Sequence, residues 1–241
     1  KTICISTQVG CRMSCEFCAS AIGGLIRSLS CGEMLEEIMA VSRDIGDSIS
    51  NIVLMGTGEP FDNYENIIKF IRIINSKQGL NVGQRHITIS TAGLVPKIYD
   101  FADEGLQCTL AISLHAAENE LRSRLMPINK KYNIEKLMDA CEYYIKKTNK
   151  RITFEYALIK DINDSDKSAQ NLGTLLRGKL CHVNLIPVNK VEEKGFEKTS
   201  KDRIGRFKSI IEGFGVETTV RRELGSDIDA ACGQLRQKYI R

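Results

Sequence analysis

No stretch of this 241-residue chain approaches the roughly 18 continuous apolar residues that a membrane span needs, so a soluble protein with no membrane partner is expected. No signal-peptide architecture is present. The chain starts abruptly at Lys1 in a strand-like run, which reads as a catalytic piece without its natural N-terminus. No internal repeat appears, and at this length one barrel-sized domain is expected over two. The charge of one sign is also small. A formal +4 permits an anionic partner without demanding one. What the chain does have is cysteine: nine in all. It is too long and too helical to need disulfide staples, so reduced thiols with ligand or catalytic roles in an intracellular, cytoplasmic compartment fit better.

β-Branched and apolar runs recur at 2–6, 51–55, 86–90, 109–114, 152–158, 182–187 and 216–221, and amphipathic helical patterns fill 33–45, 63–76, 95–103, 133–148, 166–177 and 200–213. Alternation of this kind predicts an α/β fold, with βαβ units, right-handed crossovers and a parallel sheet wholly or partly closed into a barrel. The functional site is then expected at the C-terminal strand ends. Cys11, Gly58 and Glu59, Ser90, Ser113 to His115, and Asn189 all fall at such ends. The polar stretch 189–202 reads as a surface loop.

Residues 10–20, GCRMSCEFCAS, carry Cys11-x3-Cys15-x2-Cys18, with Gly10 at the entrance and Phe17 before the third cysteine. Three thiolates on one tight loop suit a metal. A structural zinc site wants four closed ligands, commonly from two knuckles, and no second knuckle follows. Cys31 could serve as a distant fourth ligand in a zinc or closed-cluster binding module. The other reading is a [4Fe-4S] cluster on three protein ligands, with one iron left for a small molecule. MGTGEP, 55–60, follows a buried-looking strand, and its two glycines allow close backbone approach to a ligand. Ser90, Ser113, His115 and Asn189 offer polar groups at the same mouth.

The three-cysteine spacing with its aromatic resembles the signature of the radical S-adenosylmethionine enzymes. The resemblance implies that the open iron chelates S-adenosylmethionine and that an electron from the cluster cleaves it to a 5′-deoxyadenosyl radical. It also implies a partial (β/α)6-type barrel in which Gly58, Glu59, Ser90, Ser113, Leu114, His115 and Asn189 bind the cofactor. Beyond the superfamily, CISTQVGC (4–11), MGTGEP, SLHAAENELRSRLMPINKKY (113–132), HVNLIPVN and VRRELGSDIDAACGQL together resemble the RlmN/Cfr family of RNA adenine methyltransferases, over almost the whole chain and in order.

That resemblance gives two remote cysteines their roles. C2 of adenine is electron-poor and cannot attack a methyl sulfonium as a nucleophile. By family analogy, Cys232 takes a methyl from one S-adenosylmethionine, and a second is cleaved to the radical that removes hydrogen from the S-methyl. The methylene carbon then joins C2. Cys4 resolves the resulting adduct through a Cys4–Cys232 disulfide, and a reductant such as flavodoxin or ferredoxin restores the thiols. The implied substrates are 23S ribosomal RNA, at the peptidyl-transferase centre, and transfer RNA, at the adenosine 3′ of the anticodon; a monomer is expected. The domain expected over 1–241 is the catalytic one with a C-terminal extension carrying Cys232, without the family's N-terminal accessory domain and its proton-accepting glutamate. Alternatives are C8 methylation, as in the antibiotic-resistance branch, from which Pro60 sets this chain apart, and another radical enzyme such as a glycyl-radical activase.

Cys31, Cys108, Cys141 and Cys181 are expected in the packing, and His86 and His182 are read as structural. Arg221, Arg222, Arg236, Lys238 and Arg241, with Arg122, Arg124, Lys130 and Lys131, are candidates for RNA phosphate contact.

Overall fold

The computed structural model describes residues 1–189, 194–221 and 234. Its centre is a sheet of seven parallel strands. β1 (Thr2–Cys4) lies at one edge, followed in space by β4 (Asn51–Leu54), β5 (Ile87–Thr91), β6 (Thr109–Ser113), β7 (Ile152–Leu158), β8 (Cys181–Pro187) and β9 (Thr218–Val220). The sheet curls into a half-barrel. Helices α1 (Cys31–Ile45), α2 (Tyr64–Asn75), α3 (Val95–Asp103), α5 (Ile134–Thr148), α6 (Asp166–Leu176) and α7 (Lys201–Gly213) make the crossovers between successive sheet strands. This is six strand–helix units plus a seventh strand, as the alternating pattern predicts.

Local chemistry sets the boundaries. Ser30 accepts from the Glu33 N–H while Glu33 reaches back to the Ser30 N–H, a capping box that starts α1, and Gly46 ends it in the left-handed region. Asn133, Ser165 and Ser200 cap α5, α6 and α7 in the same donor-satisfying way. In α2, Ile67, Phe70, Ile71 and Ile74 recur at helical spacing and are fully buried against the sheet. β7 is buried along nearly its whole length, as a central parallel strand must be.

Two elements depart from the expected pattern. An antiparallel hairpin, β2 (Gln8–Gly10) with β3 (Leu25–Ser28), stands outside the main sheet and brackets the cysteine loop. A short helix, α4 (Asn119–Leu125), precedes α5 within the segment identified only as a motif. Three-residue strands and seven-residue helices are too short to show a period. No described helix is long and apolar enough to cross a membrane.

Candidate active site

The cysteine loop hangs between the two hairpin strands. Gly10 has φ +77°, and a Cβ there would lie 1.9 Å from the Gly24 carbonyl oxygen, so the strands meet only around glycine. Cys11 N–H donates to that same oxygen at 3.1 Å, and Glu16 N–H donates to the Leu125 carbonyl at 2.9 Å. These bonds fix both limbs of the loop. Phe17 stands edge-on to His115, ring centroids 4.7 Å apart, and so the aromatic before the third cysteine seats the loop on the end of β6.

The loop roofs a cleft of about 1050 Å³, open to solvent, at the C-terminal ends of the strands. Cys11, Cys15 and Cys18 line it together with Gly58, Glu59, Ser90, Ser113, His115 and Asn189. Leu114 does not; its side chain is in the core, and its backbone N–H and C=O are taken by the Glu155 carbonyl and by Arg122. Cys4 ends β1 just outside, exposed. Desolvation raises its thiol pKa, while the Met55 N–H and the Arg221 guanidinium pull it back, and both of those residues line the cleft. Cys232 lies outside the described residues, as do Arg222, Arg236, Lys238 and Arg241.

MGTGEP owes its glycines to the chain's own first loop. A Cβ on Gly56 would sit 2.7 Å from the Ile5 carbonyl oxygen, and one on Gly58, at φ +111°, 2.6 Å from Gln8 Cβ. The close approach expected for a ligand is thus made by residues 5–8. Gln8 then organises the turn: its Oε1 accepts from the Glu59 N–H at 2.9 Å, and its Nε2 donates to Asp62 Oδ2 at 3.0 Å. Glu59, 3 % exposed, accepts from the Phe61 N–H at 3.0 Å and the Ala92 N–H at 2.7 Å. Burial nevertheless pushes its carboxyl up to about 7. A cationic ligand in the cleft would restore the carboxylate, which suits Glu59 to an ammonium group.

His115 is 5 % exposed, with φ +58°. The Ala157 N–H donates to its Nδ1 at 2.9 Å, which leaves the ring proton on Nε2. Burial, then the nearby Arg122 charge, drive its pKa down to about 3, so it is a neutral donor across the physiological range. Ser90 and Ser113 hydroxyls face each other at 3.5 Å across β5 and β6.

Three residues have places in this site that a reading of the sequence does not give, Arg221 being expected there only as a phosphate contact and Met55 only as part of MGTGEP. Glu155 lines the cleft at 4 % exposure, accepts from Asn184 Nδ2 at 2.8 Å and is pushed up to about 7 by burial. Its signal is a carboxylate inside the apolar run ITFEYAL. Arg221, following β9, donates from Nη1 to Met55 Sδ at 3.9 Å and so spans the barrel interior from β9 to the end of β4. Met55 is the third, holding both Arg221 and Cys4. Arg122 is a correction. It is no phosphate contact, because it is 0 % exposed and bonded wholly to interior oxygens; Arg124, Lys130 and Lys131 are exposed. His86 bonds Asn51 and His182 bonds Thr219, both away from the cleft, as their structural reading requires.

Three thiols of one loop at one cleft are a donor set that suits an iron–sulfur cluster held by three protein ligands. Cys11, Cys15 and Cys18 act on one another electrostatically. Yet among the described residues no three His, Cys, Asp or Glu side chains converge closely enough to hold one metal ion. Cys31 is buried in the main hydrophobic cluster and does not line the cleft. Among the described residues the closed-module alternative therefore has no fourth cysteine lining the cleft.

Comparison with known proteins agrees. The Radical SAM superfamily profile matches residues 5–172, so fold and site define a radical S-adenosylmethionine protein, a class built on a [4Fe-4S] cluster and S-adenosylmethionine. At 14% identity, SuiB of Streptococcus suis bound to S-adenosylmethionine shares the fold (TM-score 0.69, 92% of this chain and 50% of that one). More specifically, the chain is 62% identical to the probable dual-specificity RNA methyltransferase RlmN of Caldanaerobacter subterraneus subsp. tengcongensis, covering 100% of this chain and 70% of that protein. It is 59% identical to the protein so named in Clostridium botulinum strain Eklund 17B, covering 69% of it. A crystal structure of a radical SAM methyltransferase from Sphaerobacter thermophilus superposes with TM-score 0.95 at 49% identity, over 98% of this chain and 70% of that one. The chain belongs to the RlmN family of radical S-adenosylmethionine RNA methyltransferases.

Proposed function

We propose that this chain methylates C2 of adenosine in ribosomal and transfer RNA, using Cys232 as methyl carrier and Cys4 as resolving thiol. The observation that carries the reading is the convergence of Cys11, Cys15 and Cys18 on one cleft with Glu59, Ser90, Ser113, His115 and Asn189, in a chain 62% identical to an RlmN protein. When bound, a [4Fe-4S] cluster and two molecules of S-adenosylmethionine per turnover supply a methyl group and a hydrogen-abstracting radical.

The chain's own residues do the rest. Cys11, Cys15 and Cys18 would hold the cluster through their thiolates. Gly58 and Glu59 receive the cofactor's ammonium end, Ser90 and Ser113 its ribose and carboxylate, and His115 and Asn189 its remaining polar groups; Leu114, with both backbone groups already bonded, supports Ser113 and His115 from behind. Cys4 ends β1 at the edge of the cleft, where the Arg221 cation offsets part of what burial costs the thiolate needed to close a disulfide with Cys232. A reductant of the flavodoxin or ferredoxin class reopens that disulfide. The reading takes 1–241 as one catalytic domain with a C-terminal extension, working as a cytoplasmic monomer. The relatives named RlmN favour C2 over C8.

The test is mass spectrometry of adenosines from RNA incubated with the anaerobically reconstituted full-length protein. 2-Methyladenosine is expected, 8-methyladenosine would transfer the chain to the C8 reading, and neither product would overturn the proposal. Cys4→Ala should accumulate a covalent protein–RNA adduct; its absence removes the resolving role.

A further inference from the structure

Arg122 is 0 % exposed and makes four hydrogen bonds, all to neutral oxygens: Nε to Leu114 O at 3.1 Å, Nη1 to Asn129 Oδ1 at 3.0 Å, and Nη2 to Ala92 O at 2.8 Å and Ser113 O at 3.1 Å. Among the described residues no carboxylate pairs with it. The guanidinium is also closely packed, because a Cβ on Gly93 would already be only 3.3 Å from Nη2. Interior charges are normally paired, since burying one alone forfeits its hydration without an opposite charge to replace it. Carbonyl dipoles satisfy the N–H groups but leave the net charge standing. Its place in the fold is informative: Glu16 of the cysteine loop donates its N–H to Leu125, three residues along α4 from Arg122, and Ala92 and Ser113, whose carbonyls the guanidinium holds, both line the cleft.

We infer that Arg122 is the built-in countercharge of the iron–sulfur cluster, a positioning residue that holds one positive charge behind the cysteine loop and raises the cluster's reduction potential. The inference rests on the cluster reading of Cys11, Cys15 and Cys18. Three thiolates outweigh the formal two-plus charge of an oxidised [4Fe-4S] core by one, and reduction adds another negative charge. A fixed cation therefore favours the reduced form more than the oxidised one, and net charge around a cluster is one of the levers on its potential. Arg122 also holds the ends of β5 and β6 through Ala92, Ser113 and Leu114, so its charge is locked to the frame that positions Ser113 and His115. Loading the cluster would then relieve a charge that the cluster-free protein keeps unpaired.

The experiment is an anaerobic redox titration of the reconstituted protein with dithionite, followed by electron paramagnetic resonance, with iron content and melting temperature measured alongside. Arg122→Gln should still load about four irons per chain, with its midpoint potential shifted negative and a smaller gain in melting temperature on loading than the wild type shows. Arg122→Lys, which keeps the charge and loses the fork, should titrate close to wild type. Asn129→Asp keeps Arg122 but places a carboxylate on its Nη1, and it should shift the potential negative as well; it carries the test if Arg122→Gln does not fold. Unchanged potentials in iron-loaded Arg122→Gln or Asn129→Asp overturn the inference and leave the cluster reading intact. A lysine variant displaced as far as glutamine overturns it too, because bond geometry rather than charge would then set the potential. Failure of the wild type to load iron removes the cluster reading and the inference with it.

Discussion

The described cysteines divide into two populations that a thiol pKa does not tell apart. Behind the sheet, Cys108 and Cys141 are fully buried among apolar side chains, and burial pushes both thiols up to about 12. On the cleft, burial pushes Cys11 up to about 12 as well. The difference is in the neighbours. Cys11 and Cys15 each feel other cleft thiols and Glu59, which oppose ionisation, with Arg122 favouring it at Cys15; Cys108 feels only the favourable charge of Lys150, and Cys141 feels Arg122 and Lys179 in favour and Cys181 and Glu142 against, with no cleft thiol among them. Stacking ionisable groups that repel one another is wasteful packing but a good preparation for a cationic core, which inverts the local preference and deprotonates all three together. Convergence, and not perturbation, marks the functional set.

The largest expected effect separates the populations outright. Cys15→Ala should reduce iron after reconstitution from about four per chain to well below that, and abolish cleavage of S-adenosylmethionine, whereas Cys141→Ala should keep both. Iron loading that survives in Cys15→Ala would break the comparison at its centre.

This division was legible in the sequence to an unequal degree. The cleft set was readable because its ligands are local: eight consecutive residues, 11–18, carry all three thiols, and no long-range folding is needed to bring them together. The core set could be recognised only by elimination. The sheet was equally readable, since each buried strand is a run of β-branched residues and each crossover helix carries an amphipathic pattern. The hairpin around the loop, the buried Arg122 and the Arg221–Met55 span were not, for one reason. Each depends on contacts between segments 8 to 166 residues apart, and a basic residue reads as solvated until its surroundings are known. Glu155 lay between these cases, visible as an acid in an apolar strand but with its cleft unseen.

That glutamate sharpens the contrast from the carboxylate side, because it is raised by burial away from the mutual repulsion of the thiols. Its folded pKa is about 7 against an ordinary 4.5, so between those values the native state binds more protons than the unfolded chain. Its contribution to stability is present in full below pH ~4.5 and lost as pH rises through ~7. Glu155→Gln, which can still accept from Asn184, should therefore flatten the fall in stability across that window and leave the cluster-free protein more stable by up to about 3 kcal/mol at pH 8, as read by urea unfolding. A wild-type profile already flat there would show that burial alone does not perturb cleft groups. A smaller change comes from the core set: Cys141→Ala removes one buried sulfur and should cost about 1–2 kcal/mol, with iron unaffected.

Cys31 gives the smallest effect and the sharpest boundary. It is the first residue of α1, directly after the Ser30 cap, and it is buried with Met34 and Ile38 in the main cluster. Its raised thiol comes from burial, with Lys69 the charge acting on it and no cleft cysteine among the causes. Alanine at that position loses a sulfur contact and gains helix propensity, so the two changes nearly offset and the net loss should stay under about 1 kcal/mol. Iron content should equal that of the wild type. Cys31 is the fourth ligand that the closed-module alternative names, so a fall in iron on Cys31→Ala would move it into the cleft population. It would also remove the open iron on which the cofactor's place in this cleft depends.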